Sequence, residues 1–193
     1  MINLPTLPSI LTALYCQDNR LTSLPLLPPS LTELYCYCNQ LNDLPPLPES
    51  LKNLSCRGNQ LTSLPSLPPS LIDLYCGDNQ LTDLPRLPLS LSWFYCQGNR
   101  LTNLPPLPPS LFVVVYGYNR LPLHYYGKTV RELRIIIRID RLRKARSILY
   151  KLISERAARN IQRGWKRYWL EPYFDETRGY DVSRYLLHYK DRL

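Results

Sequence analysis

Leu31-Thr32-Glu33-Leu34-Tyr35-Cys36-Tyr37-Cys38-Asn39-Gln40-Leu41-Asn42-Asp43-Leu44-Pro45-Pro46-Leu47-Pro48-Glu49-Ser50 is one turn of a pattern that returns every 20 residues. Its first leucine recurs as Leu11, Leu51, Leu71, Leu91 and Leu111, and its asparagine as Asn19, Asn59, Asn79, Asn99 and Asn119. Leu-Pro recurs at 24–25, 64–65, 84–85 and 104–105, each time with a second Leu-Pro three residues on. No insertion or deletion breaks the register, so each block is one structural unit stacked on the next. Residues around 33–37 read as a short strand. Leu34 and Cys36 point inward, while Glu33, Tyr35 and Tyr37 point outward. The asparagine has both donors and acceptors, so buried at the bend it can satisfy the backbone there. Leu-Pro-x-Leu-Pro cannot be helix, because proline lacks an N–H and restricts its predecessor. It should run extended and polyproline-like, with its leucines in the core.

Leu-x-x-Leu-x-Cys-x-x-Asn-x-Leu resembles the leucine-rich repeat, in which cysteine stands for the third leucine. The 20-residue Leu-Pro-x-Leu-Pro form is similar to the subclass found in secreted bacterial effectors, and Leu-Tyr-Cys before the asparagine resembles repeat proteins of giant DNA viruses of amoebae. The resemblance covers residues 4–121. It implies an α/β repeat fold: a leucine-rich repeat solenoid with parallel strands on the concave face, an extended convex side and a C-terminal helical cap. The expected domains are residues 1–124, about six repeats, and residues 125–193, a basic helical cap or extension. Some bacterial relatives carry a cysteine-dependent ubiquitin ligase domain after the repeats. No cysteine follows Cys96 here, so that activity is not carried over. The sixth repeat is atypical, as terminal repeats are. It places Val114 and Tyr116 where leucine and cysteine stood, and His124 where the next leucine would be.

The chain of 193 residues is 45% hydrophobic and 20% charged, a globular balance that excludes disorder throughout. No run of about 18 apolar residues predicts a membrane span. Residues 1–14 have no basic leader and include Pro5 and Pro8, so no secretory signal is expected. The formal net charge of +9 is unevenly placed. Residues 128–169 hold 14 Lys+Arg against 3 Asp+Glu, whereas residues 1–127 hold 6 against 7. Any argument for an anionic partner concerns that basic segment only.

Cys16, Cys36, Cys56, Cys76 and Cys96 form one inward column. Core packing is favoured there over a disulfide framework or a thiolate metal site. Cys38, at the end of its strand, is expected to be partly exposed, which suits a reducing compartment, the cytoplasm of the cell or of a host. The outward column reads Tyr15, Tyr35, Ser55, Tyr75, Tyr95 and Val115, and beside it run Ala13, Glu33, Asn53, Asp73, Trp93 and Val113. Exposed rings on a sheet are natural anchors for a partner, and neighbouring tyrosines also stabilise a sheet by stacking. Both readings stand, and Trp93, a large ring without a matching neighbour, favours binding. Glu33 and Asp73 lie two coils apart, about 10 Å, and read as a solvated face. His124 and His188 lie outside the repeats. No nucleophile motif, phosphate loop, metal set or cofactor motif occurs, so no enzyme is read.

Thr129-Val130-Arg131-Glu132 is a capping box that starts a helix near Val130. Leu133, Ile136, Ile137 and Ile139 should cover the open end of the sixth repeat. The apolar series continues through Leu142, Ala145, Leu149 and Ile153 to Tyr168. One helix over 130–170 would be about 60 Å long, so a break is expected near Ser154, with a cap over 130–153. Pro172 should end the helical stretch, and a short helix is expected over 182–190. Ala157–Arg167 resembles the first half of an IQ motif, which implies a calmodulin-like partner. Ile161, Gln162 and Lys166 match it, with Arg163, Trp165 and Arg167 beside them. Arg167 stands where that motif has glycine, and Glu171 where it has arginine. The expected function is a non-enzymatic scaffold that binds a protein on its concave face through Tyr15, Tyr35, Tyr75, Trp93 and Tyr95. The alternative is a basic tail that binds a calmodulin-like protein, nucleic acid or anionic membrane.

Overall fold

The computed structural model describes residues 4–161, with side chains as far as Lys151. Each repeat contributes one three-residue strand: β1 (Ala13–Tyr15), β2 (Glu33–Tyr35), β3 (Asn53–Ser55), β4 (Asp73–Tyr75), β5 (Trp93–Tyr95) and β6 (Val113–Val115). They form one parallel sheet in chain order. The register steps by one repeat at every pairing, so Leu14, Leu34, Leu54, Leu74, Phe94 and Val114 stand in one row. The expected solenoid is the observed one.

Side-chain alternation sends Leu34, Leu54, Leu74 and Phe94 into the interior, where each is fully buried. The leucines that open each repeat meet them there, and one continuous core results. Burying each such side chain stabilises by about 1.5–3 kcal/mol. No helix fills the convex side of the coils. Instead Leu31 N–H donates to the Pro28 carbonyl at 3.1 Å, a turn repeated at Leu51, Leu71, Leu91 and Leu111. Proline pre-sets the backbone for that turn.

Two polar ladders tie coil to coil. Asn39 Nδ2 donates to the Cys16 carbonyl (3.0 Å) and the Cys36 carbonyl (3.1 Å), while its Oδ1 accepts Leu21 N–H at 2.9 Å. Asn59, Asn79 and Asn99 repeat this bonding one coil further each time. The second ladder is serine. Ser50 Oγ bonds the Pro29 and Leu31 carbonyls, both at 2.6 Å, and Ser30, Ser70, Ser90 and Ser110 do likewise. Just before each asparagine the backbone turns left-handed, at Asp18, Cys38, Gly58, Asp78, Gly98 and Tyr118.

A 3-10 turn (Leu123–Tyr125) and helix α1 (Val130–Ile161) follow the sheet. The capping box forms: Thr129 N–H donates to Glu132 Oε2 at 2.9 Å and Glu132 N–H to Thr129 Oγ1 at 3.3 Å. The backbone N–H of Thr129, then its hydroxyl, hold the Glu132 carboxyl below its usual range. Leu133 and Ile137 enter the core, with Val130 and Ile136 packed against it. Two polar pins reinforce this cap. Tyr116 OH donates to the Tyr125 carbonyl at 2.7 Å, and Arg134 Nη2 donates to the Pro108 carbonyl at 2.6 Å.

Two expectations about this helix are corrected. Ile139, expected to cover the sixth repeat, is exposed, because the helical rotation carries it past the end of the core. There is no break near Ser154, for α1 runs unbroken to Ile161. Met1–Arg143 forms one compact unit, and the chain from Lys144 belongs to another. The side chain of Ile161, residues Gln162, Arg163, Trp165, Lys166 and Arg167, Pro172 and the expected helix over 182–190 lie outside the described residues.

Candidate protein-binding face

The outward positions of β1–β5 form this face, and the twenty-residue register aligns them. Tyr15 pairs with Tyr35 across β1 and β2, Ser55 with Tyr75 across β3 and β4, and Tyr75 with Tyr95 across β4 and β5. Parallel strands lie about 4.8 Å apart, close to the distance at which rings stack. Tyr75 and Tyr95 stack at 4.7 Å between centroids, and Tyr15 and Tyr35 at 5.2 Å, both 16° from parallel. The tyrosines therefore form two stacked pairs, and Ser55 separates them. Ser55 is itself buried.

Trp93 stands beside this column and is 42% exposed; among the described residues it stacks on no ring. Tyr15 is 61% exposed, while Tyr35, Tyr75 and Tyr95 are half-buried. The five predicted anchors thus share one sheet face. Charges border them. Tyr15 OH donates to Glu33 Oε2 at 2.6 Å, a bond that raises the Tyr15 hydroxyl above its ordinary pKa. Asn53 donates its amide to Asp73 Oδ2 (3.2 Å) and to the Lys52 carbonyl (3.1 Å) in the orientation that satisfies both of its ends. Asp73 Oδ1 is shielded from water and has no hydrogen-bond partner. Burial pushes the Asp73 carboxyl up. Burial raises Tyr75 as well, followed by the charge of Asp73. Arg57 is bound at Nε by Asp78 Oδ2 at 2.7 Å.

The thiols behind the sheet have a different chemistry. Cys16, Cys36, Cys56, Cys76 and Cys96 are buried and unbridged, and Cys38 is exposed. Burial pushes all five thiols above their ordinary range, Cys16 to about 11, so none is a thiolate near neutrality. Among the described residues no group of three or more His, Cys, Asp or Glu is placed to hold a metal. No helix of the described residues is long and apolar enough to cross a membrane. The sequence reading named the ring column, but it missed the separation at Ser55 and the under-bonded Asp73. Serine at position 55, where the coils on either side carry Tyr35 and Tyr75, was the available signal.

A parallel sheet of one strand per coil, with asparagine bonding back to the preceding coil, defines a class of repeat architecture, and comparison with known proteins gives that class its family. A family profile described as Leucine Rich repeats (2 copies) matches residues 11–49. The solved structure of a Shigella effector leucine-rich repeat domain is 33% identical, with a TM-score of 0.57, over 65% of this chain and 68% of that one. YopM from Yersinia enterocolitica is 37% identical (TM-score 0.52) over 63% of this chain, and YopM from Yersinia pestis 35% identical (TM-score 0.52) over 62%. The matched region spans only 32% and 41% of those two YopM chains. No curated protein matches by sequence. The chain belongs to the leucine-rich repeat family.

Proposed function

We propose that this chain is a non-enzymatic recognition scaffold whose concave sheet binds a protein partner through Tyr15, Tyr35, Tyr75, Trp93 and Tyr95. One observation carries the reading: five aromatic side chains share a single face of a sheet whose backbone is braced by two ladders of hydrogen bonds. Large rings held on a rigid support lose little conformational freedom on binding, and tyrosine and tryptophan dominate interface hot spots. Leucine-rich repeat domains generally bind proteins, and the effector domain from Shigella is a structural relative. The exposed Cys38 thiol suits a reducing compartment, the cytoplasm of the cell or of a host. The test begins by capturing a partner. Trp93→Ala combined with Tyr75→Ala should then weaken it by about 1–2 kcal/mol or more, roughly 5–30-fold. Unchanged affinity in the folded double variant would remove the concave face from recognition.

A second reading rests on charge. Residues 128–169 hold 14 Lys+Arg against 3 Asp+Glu, which suits a calmodulin-like protein, nucleic acid or an anionic membrane. For the latter two, affinity must fall steeply as salt rises. Flat affinity between low and physiological salt rejects them.

A further inference from the structure

Helix α1 carries apolar residues on two opposite faces. Leu133 and Ile137 enter the core of the solenoid and are buried. At about 100° per residue, Ile135 lies about 160° around the axis from each of them, and Ile139 and Leu142 fall within about 40° of Ile135. Residues three and four apart are neighbours on a helix surface, so these three side chains form one continuous ridge. They are 55%, 41% and 54% exposed. An amphipathic helix is satisfied once its single apolar stripe is covered; α1 has a second stripe still open to solvent.

The rim of that ridge is basic. Arg131 and Arg138 stand on one side, about 40–60° from Ile135, and Arg143 on the other, about 80°. Arg131 and Arg138 are exposed, and neither forms an ion pair among the described residues. Arg143 Nη1 stands 3.8 Å from Asp140 Oδ1. The carboxylates of this segment are already engaged, Glu132 by Thr129 and Lys128, and Asp140 by His124. The charge left over at the rim is therefore positive.

Three occupants compete for such a ridge. A second copy of the chain would set its own Arg131, Arg138 and Arg143 against these, and like charges flanking a helical seam oppose pairing. A membrane surface takes a broad apolar face bearing large rings, whereas this ridge is one residue wide and aliphatic. Alternate steps of four and three residues are instead the spacing at which one helix packs along another. We propose that the ridge docks an acidic amphipathic helix of a partner protein, whose apolar stripe lies along Ile135, Ile139 and Leu142 and whose carboxylates meet Arg131, Arg138 and Arg143. The inference goes beyond the concave-face reading, for it names a second surface on the opposite side of the cap helix from the core.

The test titrates the full chain with a blocked peptide of three Leu-Ala-Glu-Leu-Glu-Ala-Glu heptads, followed in isoleucine-methyl spectra. Saturable shifts at Ile135 and Ile139 are expected. Two control peptides, one with every leucine replaced by alanine and one with every glutamate replaced by lysine, should each bind at least ~10-fold more weakly. Ile135→Gln with Ile139→Gln and Leu142→Gln should weaken the acidic peptide by the same factor. These positions are exposed and glutamine favours helix, so the variant should fold, with Leu133 and Ile137 still in the core. Arg131→Gln with Arg138→Gln should weaken it as well. No shift with the wild-type chain, or equal affinity in the triple glutamine variant, would overturn the proposal; in the second case charge alone recruits the peptide, and the basic segment is right while the ridge is wrong. Two further outcomes would overturn it in favour of the rival occupants. One is a wild-type dimer that the triple variant converts to monomer in sedimentation velocity. The other is binding to phosphatidylserine vesicles that the triple variant loses while its peptide affinity is unchanged.

Discussion

Replacing Asn59 with alanine removes one rung of the ladder that joins the coils, and its cost follows from what each partner retains. Asn59 Oδ1 accepts Leu41 N–H at 3.0 Å, and Nδ2 donates to the Cys36 and Cys56 carbonyls, both at 3.0 Å. The Cys36 carbonyl still receives Asn39, and the Cys56 carbonyl still receives Asn79. Those two carbonyls lose one donor each, about 0.5–1.5 kcal/mol apiece, but are not orphaned. The Leu41 N–H is orphaned and buried, which costs about 1–3 kcal/mol. The expected loss is therefore about 4 kcal/mol, within a range of about 2–6. Asn59→Asp should cost more, since a carboxylate oxygen would face the two carbonyls in place of donors. Ser70→Ala is the control. It removes bonds to the Glu49 and Leu51 carbonyls at the edge of the core, for an expected loss of about 1 kcal/mol. Urea unfolding followed by far-UV circular dichroism measures all three, provided the slope stays constant. An Asn59→Ala loss no larger than that of Ser70→Ala would refute the ladder as a principal link between coils.

Three more outcomes are expected. Gly98→Ala should cost about 1–2 kcal/mol in the same assay, because φ is +66° there and an added Cβ would collide with the Asp78 carboxylate. Tyr116→Phe should cost about 1–2 kcal/mol, since it removes the hydroxyl that bonds the Tyr125 carbonyl; loss of protection from amide exchange in the 3-10 turn would locate the effect at the cap. Stability should fall in alkali. The buried thiols have folded pKa values raised above the unfolded ones, so their contribution is complete below the unfolded value, about 8.5, and is lost as pH rises toward the folded values. Each thiol contributes a slope of about 1.4 kcal/mol per pH unit above that value. A flat stability profile from pH 8 to 10 would contradict the burial of this column.

The solenoid was legible in the sequence because its constraints repeat. A residue type that recurs in an unbroken register, such as Leu31 or Asn39, must answer to a contact made by every coil. The serine ladder shared that register, yet nothing in a lone hydroxyl says which carbonyls it will meet. At the cap the periodicity was read too far. A helical stripe records where apolar residues align and not how far their covering extends, so Ile139 and Leu142 matched the pattern but lie exposed. The break expected near Ser154 came from helix length alone, and length does not interrupt hydrogen bonding from one turn to the next. On the concave face, alternation identified the rings and Ser55 marked where their column divides, while the unpartnered Asp73 oxygen depends on side-chain torsions that no pattern encodes.

Hydroxyl-radical footprinting of the chain, alone and with its captured protein partner, tests the concave-face reading most directly, because it reports solvent access to individual rings. Free, Trp93 and Tyr15 are open to solvent at 42% and 61%, and Tyr118, at a left-handed turn beside the sheet, is open at 89%. The account predicts that the partner slows oxidation of Trp93 and Tyr15 and leaves Tyr118 unchanged. Unaltered rates at Trp93 and Tyr15, with protection confined to residues 144–193, would contradict it and assign recognition to the basic segment.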